Sequence, residues 1–151
     1  MYNYTMRLGI VGHEAAKFTP VTETKARAAI RDLIRSHTNC TTVISGGCHL
    51  GGIDVWSVEE AKALGLATKE FLPPNRSWTT GYKIRNIQIA QYSDVVVCFV
   101  VDKLPPTFIG PRFEFCYHCG ARDHIKSGGC WTAKYARSLG RTGTIVVITQ
   151  V

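Results

Sequence analysis

The sequence predicts a single doubly wound α/β domain: a mainly parallel five-stranded sheet with helices on both faces. Three observations carry that expectation. Strand-like and helix-like segments alternate along the chain. Asp94-Val95-Val96-Val97-Cys98-Phe99-Val100-Val101 is apolar on both faces after its first residue, as a parallel strand covered on both sides requires. The 151 residues, 45% of them apolar, are enough to bury one core.

Arg7 to Val11 reads as a short apolar strand ending at Gly12-His13. Between Thr22 and His37, Ala26, Ala29, Ile30, Leu33 and Ile34 recur at the three-and-four spacing of one buried helix face. Thr41 to Ile44 is β-branched throughout and suits a second buried strand, which runs into the loop Ser45-Gly46-Gly47-Cys48-His49-Leu50-Gly51-Gly52. Asp54 is placed to cap a second helix, stopped near Leu64 by Gly65. Ala67 to Phe71 is a third strand, ended by Pro73-Pro74, and Tyr82 to Tyr92 a third helix with Ile84, Ile87 and Ile89 as its apolar residues. After the buried strand 94–101, the segment from Asp102 to Lys126 is irregular and longer than an idle connection in a compact domain. A helix from Trp131 to Leu139 and a strand from Thr144 to Ile148 follow.

Eighteen basic residues against eleven acidic ones give a net charge of +7 and a pI near 9.3, which favours anionic partners such as nucleotides or nucleic acid. The basic residues are scattered and form no tail. The longest apolar run, Val95 to Val101, falls far short of the roughly 20 residues of a bilayer span. Met1-Tyr2-Asn3-Tyr4-Thr5 lacks the basic start and apolar stretch of a secretory signal. The expectation is a cytoplasmic protein without membrane contact, its self-association left open. Six cysteines in such a chain read as reduced thiols or metal ligands rather than a disulfide framework.

In doubly wound sheets ligands sit outside the carboxyl ends of the strands. Gly12-His13, the loop from Ser45 to Gly52 with Asp54 beyond it, and Ser127-Gly128-Gly129 all fall at that edge. Glycines there let backbone approach a phosphate, and a following helix presents free N–H groups. Ser45, Ser127 and Thr132 add hydroxyls, and Arg85 adds a charge-assisted partner for phosphate. The loops are neither a P-loop nor a G-x-G-x-x-G dinucleotide fingerprint.

Ser45-Gly46-Gly47-Cys48-His49-Leu50-Gly51-Gly52-Ile53-Asp54 resembles the S-G-G-x-x-G-x-D loop of the SLOG superfamily. That group includes DprA/Smf DNA-processing proteins, Lonely Guy phosphoribohydrolases, molybdenum-cofactor carrier-like proteins and YpsA-type proteins. Arg85-Asn86 resembles the R-N pair at the start of its next helix, and Ser127-Gly128-Gly129-Cys130-Trp131-Thr132 its second glycine-rich loop. The resemblance spans Leu8 to Ile148 and implies a Rossmann-like fold that binds a nucleotide or nucleotide-derived ligand. One departure bears on catalysis. The phosphoribohydrolase branch carries P-G-G-x-G-T-x-x-E, and aligned on Gly128-Gly129 this chain has Trp131 at the third glycine and Tyr135 at the glutamate. With a pKa near 10, a tyrosine does not replace a carboxylate base. Arg112 and Glu114 are the remaining catalytic candidates.

Cys116-x2-Cys119-x4-His124-x5-Cys130 is one residue longer than a zinc-knuckle spacing. Three thiolates and one imidazole make a closed structural zinc site, with His118 a substitute ligand; the competing reading is ordinary buried thiols. Cys40 and Cys98 fall in or beside strands and read as core. Cys48 and His49 read equally as ligand contacts or a solvated turn. Trp78, Tyr82 and Trp131 flank the ligand loops, where each either stacks on a base or packs as core. Three functions follow, in order of preference: a nucleotide-binding sensor or carrier, an enzyme cleaving a nucleotide N-glycosidic bond, and a DprA-like nucleic-acid-binding module.

Overall fold

Five strands and four helices alternate along the chain in the computed structural model, which describes residues 5–113 and 115–151. Met1 to Tyr4 and the catalytic candidate Glu114 lie outside the described residues. The elements are β1 (Met6–Gly12), α1 (Pro20–Ser36), β2 (Cys40–Ser45), α2 (Ile53–Ala63), β3 (Ala67–Glu70), α3 (Lys83–Tyr92), β4 (Val95–Val101), α4 (Gly128–Ser138) and β5 (Thr142–Ile148). All neighbouring strands are parallel, in the order β3-β2-β1-β4-β5. Successive strands from β1 step outward to β2 and β3, and the chain then crosses back to lay β4 on the other side of β1. The winding direction reverses between β1 and β4.

Residue alternation along β4 produces the two covered faces. Val97, Phe99 and Val101 join Leu8, Ile10, Ile30 and Trp56 beneath α1 and α2. Val96, Cys98 and Val100 join Ile89, Ala133 and Ala136 beneath α3 and α4. Both faces of this strand are buried, which is the physical reason for its unbroken apolar sequence.

Helix starts differ from the expectation wherever capping chemistry is involved. Helix α1 begins at Pro20, because Thr19 and Thr22 cap one another reciprocally and proline suits the first helical position. Asp54 does not cap α2; Gly52 holds the N-cap position, and Asp54 lies inside the first turn, 6% exposed. Helix α4 starts at Gly128 rather than Trp131, so both glycines belong to its first turn, and the Ser127 hydroxyl accepts a bond from the Gly129 N–H at 3.1 Å. Two short elements were not expected: a 3-10 turn at Ala15–Lys17 and a wide π-type turn at Trp78–Tyr82 leading into α3.

His13 fastens the carboxyl edge of the sheet. Its Nδ1 accepts a hydrogen bond from the Val101 N–H at 3.0 Å, and its Nε2–H donates to the Lys126 carbonyl at 2.9 Å. The ring is 2% exposed, and burial, reinforced by the nearby Lys17 cation, holds its pKa at about 3. It is therefore neutral in the folded protein near neutral pH. An unfolded chain takes up this proton below about 6.5, so the stability His13 contributes is complete above that pH and declines as pH falls toward 3. Asp54, whose folded pKa is raised to about 6, acts with the opposite sign between its ordinary 3.8 and 6. Urea unfolding of the wild type and His13→Gln in parallel removes the Asp54 contribution from the difference. The wild type's advantage should shrink by up to about 1.4 kcal/mol per pH unit below 6.5. A difference constant from pH 7 to 4 would contradict this.

Candidate functional site

The reversal between β1 and β4 leaves a crevice at the carboxyl edge of the sheet. A cavity of about 260 Å3 lies there, walled by Gly12 at the end of β1, the first turn of α4, the buried face of α3 and the turn at Trp78–Tyr82. A neighbouring lobe of about 390 Å3 is lined by Gly47, His49, Leu72, Pro73, Pro74, Asn75 and Arg76. Cys48, Tyr82 and Arg85 line both, so the two form one continuous cleft.

Arg85 stands at the junction. Its helix buries two polar residues, Arg85 and Asn86, on the face that also carries Ile89 and Ala90. Arg85 Nε donates to Asn86 Oδ1 at 2.8 Å and Nη1 donates to the Gly46 carbonyl at 2.5 Å. Its remaining nitrogen, Nη2, makes no hydrogen bond to any described residue and is available to the cleft. Tyr82 lies under the guanidinium at 5.5 Å. A cation fixed on two sides and open on the third is a preorganised anion contact.

Asp54 lines the same wall. Burial pushes its carboxyl up to about 6, against the stabilising pull of Arg85 and the Cys48 N–H. Gly46 is a glycine because of these two side chains: a Cβ there would strike the Arg85 guanidinium and come within 2.8 Å of Asp54 Oδ2. Opposite them, the Gly128 N–H at the start of α4 has no protein acceptor among the described residues, and its helix points positive dipole at the cleft. Gly129 lets this turn press onto the sheet, since a Cβ would sit 2.7 Å from Cys98 Sγ.

The sequence-predicted residues therefore divide. Gly12, Asp54, Arg85, Asn86, Gly128, Gly129 and Thr132 line the inner cavity, and Gly47 the outer lobe. His13 does not face a ligand, because both ring nitrogens are bonded to backbone. Ser45 donates its hydroxyl to the Asp54 carbonyl at 2.8 Å, and Ser127 caps α4, so these two position the walls. Gly46 acts through Arg85, while Gly51 and Gly52 form the turn that starts α2. Arg112 is not in the cleft; its Nη2 donates to the carbonyls of Pro105, Pro106 and Phe108 and staples its own loop. Residues not selected as cleft walls include Val11, Ile89, His118 and Lys126. Lys126 had one available signal, its place next to Ser127; His118 had its place between two cysteines.

Beside the cleft, the ligand atoms of Cys116, Cys119, His124 and Cys130 all lie within 4.8 Å of one another. His124 Nε2 is 3.3 Å from both Cys119 Sγ and Cys130 Sγ. Tetrahedral coordination with metal–sulfur bonds near 2.3 Å and metal–nitrogen bonds near 2.0 Å gives edges of about 3.5–3.8 Å, so the four side chains fit a metal ion. Asp123 Oδ1 sits 2.6 Å from His124 Nδ1, a carboxylate placed as one that would orient this imidazole toward a metal. Burial raises the Cys116 thiol, but hydrogen bonds from the Ser127 backbone and from Cys119 outweigh it and bring the pKa to about 7. Burial and the neighbouring sulfurs push Cys119 up to about 12. Cys130 rises further through Cys98 and burial. Neighbouring thiols resist a second and third ionisation unless a cation shares the space.

The fold is similar to that of solved proteins. The likeness is of fold. The molybdenum cofactor carrier protein MCP of Chlamydomonas reinhardtii superposes with a TM-score of 0.57 at 18% identity, over 97% of this chain and 79% of that one. No family model and no curated relative matches the sequence. No helix among the described residues is long and apolar enough to cross a membrane.

The Gly46 contact has a measurable consequence. Gly46→Ala should cost about 1–3 kcal/mol by forcing Arg85 and Asp54 aside. Gly128→Ala, where a Cβ meets nothing within 4 Å, should be neutral or stabilising by up to about 1 kcal/mol. Equal effects in chemical denaturation would refute this reading of the wall.

Proposed function

We propose that this chain is a carrier- or sensor-type binding protein whose cleft takes a nucleotide or nucleotide-derived molecule, anchored through phosphate between Arg85 and the first turn of α4. The observation that carries the reading is the convergence, at the β1–β4 reversal, of an Arg85 nitrogen and a Gly128 N–H that have no partner among the described residues. Phosphate accepts from both. Gly12 and Gly129 keep backbone rather than side chain at the cavity floor, Thr132 lines it, and Asn86 holds Arg85 in orientation. Trp78 and Tyr82 offer ring faces to a base or a fused-ring cofactor. The fold likeness to a cofactor carrier supports binding without turnover. So does the cleft's chemistry, since Asp54 is the one carboxylate that lines it among the described residues and Tyr135 occupies the position of the hydrolase glutamate.

The same reading makes Cys116, Cys119, His124 and Cys130 the ligands of a structural zinc ion. Thiolate and imidazole donors suit zinc, and four protein ligands leave no position for a reacting water. The metal's part is to fix walls of the cleft. Cys130 lies in the first turn of α4, and His118 and Lys126, which face the cavity, are flanked by ligands.

Calorimetric titration with adenosine monophosphate tests the binding site. Arg85→Lys keeps the charge and loses the fork, and should weaken binding at least tenfold, the loss of one charge-assisted bond at about 1.5 kcal/mol or more. Affinity unchanged in Arg85→Lys, or multiple turnovers of base release by chromatography, would overturn the reading. Elemental analysis of protein never exposed to chelator should give about one zinc per chain, and stripping it at low pH or with chelator should weaken nucleotide binding. A value well below one zinc, or nucleotide affinity indifferent to its removal, would contradict the metal's role.

A further inference from the structure

Six rings from three separate stretches of sequence form one continuous row beside the mouth of the cleft. Phe113 meets Tyr117 edge to face at 5.7 Å, and Tyr117 lies 4.7 Å from His118. His118 is 5.7 Å from Trp78, which meets Trp131 edge-on at 5.4 Å. Trp131 stacks on Tyr135 at 5.2 Å with the planes 5° apart. Phe113, Tyr117 and Trp78 are 38%, 53% and 39% exposed, whereas His118, Trp131 and Tyr135 are half-buried, with Tyr135 packed against the core.

Cations are interleaved with it. The Lys126 ammonium lies 4.9 Å from the Phe113 ring and 5.0 Å from Tyr117, and Lys134 shares a surface groove with His118, Trp131 and Tyr135. Asp123 is engaged with His124, and Asp102 accepts from the Gln150 N–H, so neither carboxylate opposes them freely. The whole chain carries +7.

We propose that this row is a stacking platform for single-stranded nucleic acid, with bases on the rings and phosphates near Lys126 and Lys134. Exposed rings at Phe113, Tyr117 and Trp78, with cations nearby, match a strand whose bases are free to stack and whose backbone is anionic. A duplex hides those base faces, so the platform selects single strands and tolerates sequence. Trp78, His118 and Lys126 also line the nucleotide cleft, whereas Phe113 and Tyr117 do not, so variants at these two residues test the platform without touching the cleft wall.

Fluorescence anisotropy with labelled oligo(dT) and oligo(U) of about a dozen nucleotides, on the full chain purified without chelator, tests it. Single strands should bind at least tenfold tighter than a duplex of equal length. The double variant Phe113→Ala/Tyr117→Ala, both exposed positions, should lose at least tenfold in affinity while adenosine monophosphate still binds as in the wild type. Lys134→Ala should reduce the slope of log affinity against log salt by about 0.7, the value for one phosphate contact on a single strand. Absence of binding at low salt, equal affinity for duplex and single strand, or affinity indifferent to the double variant would each overturn the proposal. So would capture by phosphatidylserine vesicles without single-strand binding.

Discussion

The cleft depends on two neighbouring strands whose outgoing chains part company. Strand β1 pairs with β2 on one side and β4 on the other, and the connections leaving β1 and β4 cover opposite faces. Backbone diverging at that point cannot fill the space it leaves, so polar groups from α3, α2 and α4 converge on it. His13 keeps the edge from fraying. One imidazole ties the end of β1 to the end of β4 and to the segment that enters α4. The crevice is thus held open by parallel pairing and its edge fastened by a neutral histidine.

The second constraint acts on the long connection between β4 and α4. Residues 102–127 contain no helix or strand among those described, yet they carry two walls of the cleft and half of the aromatic row. Backbone hydrogen bonds within the segment close short turns only, from Phe108 to the Pro105 carbonyl, from Cys119 and Gly120 to that of Cys116 and from Cys116 to that of Ala121. The convergence of Cys116, Cys119, His124 and Cys130 replaces the missing ladder, and its last member belongs to the helix whose N-terminus faces the cleft. Local order and ligand geometry therefore share one cluster of side chains. A free energy of metal binding is expressed partly as order in the surrounding chain.

Much of the fold was readable because burial leaves a periodic trace. The two-faced apolar run of β4 and the three-and-four spacing of α1 both correspond to elements at nearly those positions. The Cys/His spacing likewise identified four side chains that meet in space. Capping was less legible: Thr19 and Ser127 begin helices earlier than hydrophobic spacing suggests. Function at single residues was less legible still. His13, Ser45 and Ser127 have polar atoms suited to a ligand, but backbone groups distant in sequence or in the next turn take them. Asp54, expected both as a helix cap and at the ligand edge, is not the cap but does line the cavity. The aromatic row joins Trp78 to rings some forty and fifty positions away, and no local pattern encodes that meeting. Arg85 and Asn86 were the most legible site residues, and in α3 they share the buried face with Ile89 and Ala90. Polar residues on an apolar face imply partners, and here the partners include the cleft.

The most direct measurement is amide chemical-shift mapping of isotope-labelled, metal-loaded protein titrated with adenosine monophosphate. The account predicts the largest shifts at the Gly128 and Gly129 amides, the Arg85 side-chain Nε–H and Gly12, all at the carboxyl edge of the sheet. Shifts centred on the amino edge of the sheet, or no shifts at millimolar nucleotide, would contradict it.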